Sequence, residues 1–150
     1  TVAGGLLGQS EDFFSGSEWK FLGTKPDVEV LLNMKFAEKV VSSLKSNAIA
    51  IVCNQQTVGL GMGQVNRVDA VKQAAERMLE FKERTKKDLS QAVLASDAFF
   101  PFPDSVDIIS NYGIKWIIQP GGSVQDTHVF AAAEKYKINM ALTGRRHFKH

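Results

Sequence analysis

At 150 residues the chain has the length of one domain and enough material for a sizeable core. A net charge of +2 gives no electrostatic case for a nucleic-acid binder, and no apolar run nears the length of a membrane span. The single cysteine, Cys53, leaves no internal disulfide and no cysteine-based zinc site, and it fits a reducing compartment, the cytoplasm.

The chain opens on Thr1, and "TVAGGLLGQSEDF" reads as the interior of something longer, so this boundary is expected to be artificial. Val2 to Gln9 is a short apolar strand candidate broken by Gly4 and Gly5, and residues 11 to 23 read as irregular. A helix then starts at "TKPD", with Thr24 as cap, Asp27 at the third position and Pro26 in the first turn. Val28, Leu32, Phe36, Val40 and Leu44, with Leu31 and Val41 beside them, predict one apolar stripe on it.

Ala48 to Cys53 is a continuous apolar run and so a buried strand, Asn54 to Gln56 a turn, and Thr57 to Leu60 a second strand. Asn66 caps a long helix to about Arg84, with Asp69 at its third position and an apolar side of Val68, Val71, Ala75, Met78 and Leu79. After the solvated "KERTKKDLS" come a buried strand over Ala92 to Leu94, a helix capped by Asp104 and ended by Gly113, the strand "IKWIIQ", a helix opened by "GGSVQD" and a last strand "INMALT". Strand and helix alternate, which predicts an α/β fold whose mainly parallel sheet is covered on both faces.

The unusual residues sit in the loops, where open α/β sheets bind ligands at strand ends. Asn47, in "KSNAI", is either a left-handed helix cap or part of a neighbouring rim, since it precedes a strand. Gly59, Gly61 and Gly63 in "GLGMGQVNR" make either a tight turn or an anion cradle at a helix start; the spacing departs from the dinucleotide fingerprint. "SDAFFPFPDS" puts Phe99, Phe100 and Phe102 on a loop stiffened by Pro101 and Pro103. The rings either plug the core or form a wall for a flat ligand. "QPGGSVQD" places Ser123 as a helix cap with Asp126 at the third position, a fair cradle for a polar group. The basic tail "RRHFKH" is either a solvated terminus or, following a buried strand, an ordered phosphate contact. No catalytic set assembles: His128 reads as a surface residue on a helix, and no nucleophile elbow or zinc-deaminase signature is present.

Together, "KSNAI", "VGLGMGQVNRVDAV", "LASDAFFPFPDS", "IIQPGGSVQD" and "RRHFKH" resemble the AICAR transformylase / IMP cyclohydrolase family, over nearly the whole chain. The resemblance implies that residues 1–150 are the C-terminal subdomain of the transformylase region, with a three-layer cytidine-deaminase-like fold lacking zinc. It implies transfer of a formyl group from 10-formyltetrahydrofolate to AICAR in purine synthesis, with ring closure to IMP by a separate N-terminal domain and a transformylase site built across a homodimer interface. A structural potassium ion near this region is a further, weaker implication.

Carried over by the resemblance, Asn47 would orient the AICAR carboxamide, Phe99 would pack near its ring, Arg146 would bind its 5'-phosphate and His150 would lie close to the nucleotide. Arg67, Val68, Pro101, Phe102, Asp104 and Ser123 would line the folate side. The family's Lys-His pair is expected upstream of Thr1, so Asn47 would be an orienting residue only, and Pro103 stands where the family motif has arginine. The alternative is a binding or interaction module for a nucleotide or folate that has lost catalysis.

Overall fold

Residues 19–149 are described by a computed structural model. The strands are β1 (Lys20–Leu22), β2 (Ile49–Cys53), β3 (Gln56–Gly61), β4 (Val93–Ser96), β5 (Trp116–Gln119) and β6 (Asn139–Leu142). The helices are α1 (Val28–Val41), α2 (Arg67–Thr85), α3 (Asp104–Asn111) and α4 (Asp126–Lys135). The strand expected over Val2 to Gln9 lies outside the described residues, and β1 forms inside the stretch read as irregular.

The strands make one sheet in the order β1-β6-β5-β4-β2-β3. It is mixed, which corrects the mainly parallel expectation. β4, β5 and β6 run parallel, joined by α3 and α4, whereas β2 pairs antiparallel with both β3 and β4, and β1 antiparallel with β6. The reversal begins at a two-residue hairpin: Asn54 and Gln55 both take φ 52°. Two positive φ values in succession belong to the hairpin turn that matches strand twist. The turn expected over Asn54 to Gln56 is thus the two-residue Asn54–Gln55, with glutamine rather than glycine in the second place.

Alternation along β2 divides the core. Ile49, Ile51 and Cys53 face α2, α3 and α4 together with Leu94, Ile117 and Met140. Ala48, Ala50 and Val52 face α1 with Val93, Ala95, Ile118 and Ala141. Among the described residues, one helix therefore covers one face and three cover the other, the three layers of the fold.

α1 starts at Val28, capped by Asp27, whose carboxylate accepts from the Val30 N–H at 2.8 Å; the cap is three residues later than Thr24. Its core line is Val30, Met34, Ala37 and Val41, while Val28 and Leu32 are exposed. The predicted stripe was rotated because two polar residues turn inward with partners. Asn33 accepts from the Gln55 N–H at 2.7 Å, and Glu38 meets His147. A pattern read from apolar letters alone cannot see a polar residue that brings its own hydrogen bonds.

α2 is capped by Asn66 as expected, its carbonyl oxygen Oδ1 accepting from the Asp69 N–H at 2.8 Å. Ala70, Val71, Ala74, Ala75 and Met78 face the sheet, and Leu79 is exposed. Gly59 and Gly61 are residues of β3, not of a loop. A methyl group at Gly61 would collide with the Ala70 carbonyl, its oxygen far inside contact and its carbon at 2.9 Å; one at Gly59 would collide with Ala74. The glycines are there so that a strand and a helix backbone can touch. Only Gly63, at φ 66° with open space around it, serves the turn. α3 begins at Asp104 and α4 at Asp126, with Pro103 and Gln125 at the cap positions and no side-chain cap on either. Among the described residues no helix is long and apolar enough to cross a membrane.

Candidate functional site

The mixed sheet decides where the loops go. β4, β5 and β6 end at one rim, so the loops after Ser96, Gln119 and Leu142 share it. Because β2 is antiparallel to β4, Ile49 lies opposite Ser96, and the start of β2 reaches that same rim. β3 reverses again, so Gly61 lies opposite Ile49 and the 62–66 loop joins them. The placement of Asn47 before a strand is thereby settled: all the unusual loops meet at one edge.

At the centre is a buried ion pair between Arg67 and Asp97, 5% and 0% exposed. Arg67 comes from the first turn of α2 and Asp97 from the residue after β4. One guanidinium nitrogen (Nη1) meets Asp97 and also donates to the Ala48 carbonyl at 2.9 Å; the other (Nη2) donates to Asn47 Oδ1 at 3.0 Å. The second Asp97 carboxylate oxygen accepts from the Ser46 hydroxyl at 2.6 Å. Asn47 Nδ2 donates to the Gln64 and Val65 carbonyls at 2.9 and 3.3 Å. Asn47 is thus held from both ends of its amide, with one lone pair on Oδ1 left to accept a further hydrogen bond. It is not a left-handed cap: α1 ends at Val41, its C-cap Ser42 is right-handed, and Asn47 has no positive φ. Burial lowers the pKa of Arg67, and Asp97 opposes that shift. Among the described residues, Arg67 Nε has no acceptor.

The second element is a stack. The Arg146 guanidinium lies 4.4 Å from the centroid of the Phe99 ring, a cation–π arrangement. A methyl at Gly122 would stand 4.0 Å from Arg146 Nη2, so the "QPGGS" turn flanks it. Arg146 is exposed and Phe99 half-buried. The three phenylalanines of the stiff loop take three fates. Phe100 is fully buried, its N–H donating to the buried Gln119 Oε1 at 3.2 Å; Phe99 carries Arg146; Phe102 is 57% exposed.

The remaining predicted residues sit around this edge. Val68 is half-buried beside Arg67 on α2. Pro101 is half-buried in the loop, and Asp104 is exposed at the start of α3, accepting from the Ser105 N–H at 2.7 Å. Ser123 accepts from the Gln125 N–H at 3.1 Å, and the Asp126 carboxylate folds back onto the N–H groups of Gly122 and Ser123 at 2.7 and 3.2 Å. The expected cap is therefore inverted: Asp126 closes the turn that Ser123 was to cap. His150 lies outside the described residues. His128 is exposed on α4, as read from the sequence.

Asp97, Ser46, Glu38 and His147 were not singled out by sequence reasoning. Asp97 had a visible signal, a carboxylate between a buried strand and a proline loop, but its partner is 30 residues away. Among the described residues no three of His, Cys, Asp and Glu converge as a metal site. The Cys53 thiol lies at the far end of β2 with its pKa pushed up, mainly by burial, so it is no nucleophile for this edge.

Comparison with known proteins finds relatives of this chain. The AICARFT/IMPCHase bienzyme family matches residues 1–77, just over half of the chain. The bifunctional purine biosynthesis protein PurH of Persephonella marina is 45% identical over 150 residues, covering 99% of this chain and 28% of the relative. The protein of the same name from Aquifex aeolicus is 45% identical, covering 99% and 29%, and that of Clostridium perfringens 47% identical, covering 100% and 28%. The chain spans less than a third of the length of these relatives.

Proposed function

From the premise that the chain belongs to the AICARFT/IMPCHase bienzyme family, we propose that it supplies the substrate-positioning part of the transformylase site of a longer purine-biosynthesis enzyme. The reaction moves a formyl group from 10-formyltetrahydrofolate to the 5-amino group of AICAR. That amine is a weak, aromatic nucleophile, so transfer needs a base to remove its proton and a donor to stabilise the oxyanion. It also needs the two flat substrates to be held in line.

The observation that carries the reading is the pairing of a locked amide with an exposed, stacked cation on one edge. Asn47, fixed by Arg67 and the Gln64–Val65 carbonyls, offers its remaining lone pair to the AICAR amide or amine. Arg146, braced on Phe99, offers a planar fork to the 5'-phosphate. Phe99 and Phe102, on the proline-stiffened loop, wall off the AICAR side from the folate side. Arg67 serves through Asn47 as a positioning residue, because its guanidinium is buried and engaged. Val68, Pro101, Asp104 and Ser123 form the folate flank, and His150 completes the nucleotide side.

The described titratable groups of the hub are engaged with one another: Asp97 with Arg67, His147 with Glu38. This suits an orienting role, with proton transfer supplied by the family's Lys-His pair elsewhere in the longer polypeptide. Exposed Met62, Val65, Phe102 and Val124 give the same edge an apolar rim, which suits closure by a second copy across a homodimer interface.

The test is formyl transfer from 10-formyltetrahydrofolate to AICAR, followed by tetrahydrofolate absorbance, with this chain beside the full-length polypeptide. Turnover is expected only from the longer protein. Turnover by the chain alone would refute the division of labour; none from either would favour a non-catalytic binding module.

A further inference from the structure

The segment that carries Arg146 is a strap, and a residue of a distant helix pins it. From Thr143 to Lys149 the chain forms no helix or strand, but it is tied down along its length. Thr143 N–H donates to the Gln119 carbonyl at 2.9 Å, and Gly144 N–H to Pro120 at 3.0 Å. His147 N–H donates to the Asp97 carbonyl at 2.8 Å, while Ser46 and Lys149 exchange bonds at 3.0 and 3.1 Å.

Along this strap the side chains alternate. Arg146 and Phe148 are exposed, while His147 between them is 2% exposed and drives inward. Its Nε2 lies 3.3 Å from Oε1 of Glu38, itself 6% exposed on α1. A carboxylate in the core-facing line of a helix is uncommon unless it has a partner, and this partner is the residue next to Arg146.

We propose that Glu38 is a positioning residue for phosphate binding: through His147 it fixes the strap so that Arg146 stands over Phe99. The inference rests on the reading of Arg146 as the phosphate contact. Glu38 touches no substrate and acts on the opposite face of the strap. With the pin in place, Arg146 is presented in one orientation and less rotamer freedom is lost when an anion binds. Without it, the backbone bond to Asp97 still holds the strap, but the His147 ring loses its contact with Glu38 and the base beneath Arg146 is loosened.

The experiment is steady-state formyl transfer in the full-length protein with Glu38→Ala, Glu38→Gln, Arg146→Ala and the double variant Glu38→Ala/Arg146→Ala. Loss of one hydrogen bond corresponds to about a 2- to 10-fold effect. The KM for AICAR is expected to rise by that factor in Glu38→Ala, with the KM for the folate unmoved. Glu38→Gln, whose amide oxygen can still accept from His147, restores most of it. In the Arg146→Ala background the Glu38 substitution adds nothing further, because its effect runs through Arg146. If Glu38→Ala does not fold, His147→Ala is read in the same cycle. An unchanged KM for AICAR, or an effect equally large with and without Arg146, overturns the inference while leaving the phosphate reading intact. An Arg146→Ala variant with normal AICAR KM sinks the phosphate reading itself, and the inference with it.

Discussion

Replacing Asp97 with asparagine is expected to destabilise the chain by about 3–5 kcal/mol, the cost of leaving a buried charge without its partner. The side chain it faces cannot escape by losing its proton, because an arginine stays charged in proteins. Arg67 is already penalised by burial, and Asp97 is the charge that opposes the penalty. The asparagine keeps the shape and one carbonyl oxygen but removes the charge. The loss also spreads, since the second carboxylate oxygen of Asp97 receives the Ser46 hydroxyl. Urea unfolding followed by fluorescence of Trp19 and Trp116 measures it, with Asp107→Asn on the exposed side of α3 as control. A midpoint for Asp97→Asn within that of the control would mean that the ion pair is not the brace of this edge.

Gly61→Ala is expected to be the second most damaging single change, at about 3 kcal/mol or more, the upper end of what overpacking costs. The added methyl meets the backbone of Ala70, which cannot swing aside as a side chain could. β3 and α2 would have to part, opening the core around Val71 and Ala74. Gly63→Ala, two residues on, offers the contrast. It has space but a φ of 66°, and it should cost about 1–2 kcal/mol, the penalty of a left-handed alanine. Differential scanning calorimetry of the two variants ranks them directly. Equal losses, or a larger loss at Gly63, would contradict the close strand–helix contact and return the glycines to a loop role.

These glycines show where the sequence was legible and where it was not. The order of strands and helices from α1 onward, the buried run at Ala48–Cys53 and the Asn66 cap follow from local patterns, because apolar runs and caps are written in neighbouring residues. The direction of the strands is not. The turn at Asn54–Gln56 was legible, but that β2 would pair antiparallel with β4, and β1 with β6, was not, because strand neighbours distant in sequence set it. The antiparallel pairing of β2 with β4 also brought Asn47 to the rim that carries the other unusual loops. The α1 stripe failed for a related reason: Asn33 and Glu38 are buried by virtue of partners at Gln55 and His147, 22 and 109 residues away. Gly59 and Gly61 read as a possible cradle because a glycine that receives a helix and one that receives a phosphate look alike in sequence.

The site was legible as a set of loops rather than as a geometry. The loops of Asn47, Phe99 and Arg146 stood out by residue type and the family resemblance pointed to these residues on them, but their braces were not visible. The resemblance implies a lining role for Arg67, whose burial against Asp97 suits it to support instead. Asp97 and His147 became visible only once the strap, the β4 loop and the start of α2 shared one edge.

The claim that this edge holds AICAR by its phosphate and amide is tested most directly by formyl-transfer kinetics of Arg146→Ala in the full-length protein. Loss of charge-assisted hydrogen bonds predicts a KM for AICAR raised about 10- to 100-fold, with the folate KM little changed. Unchanged AICAR kinetics, or an equal rise in both KM values, would contradict the account.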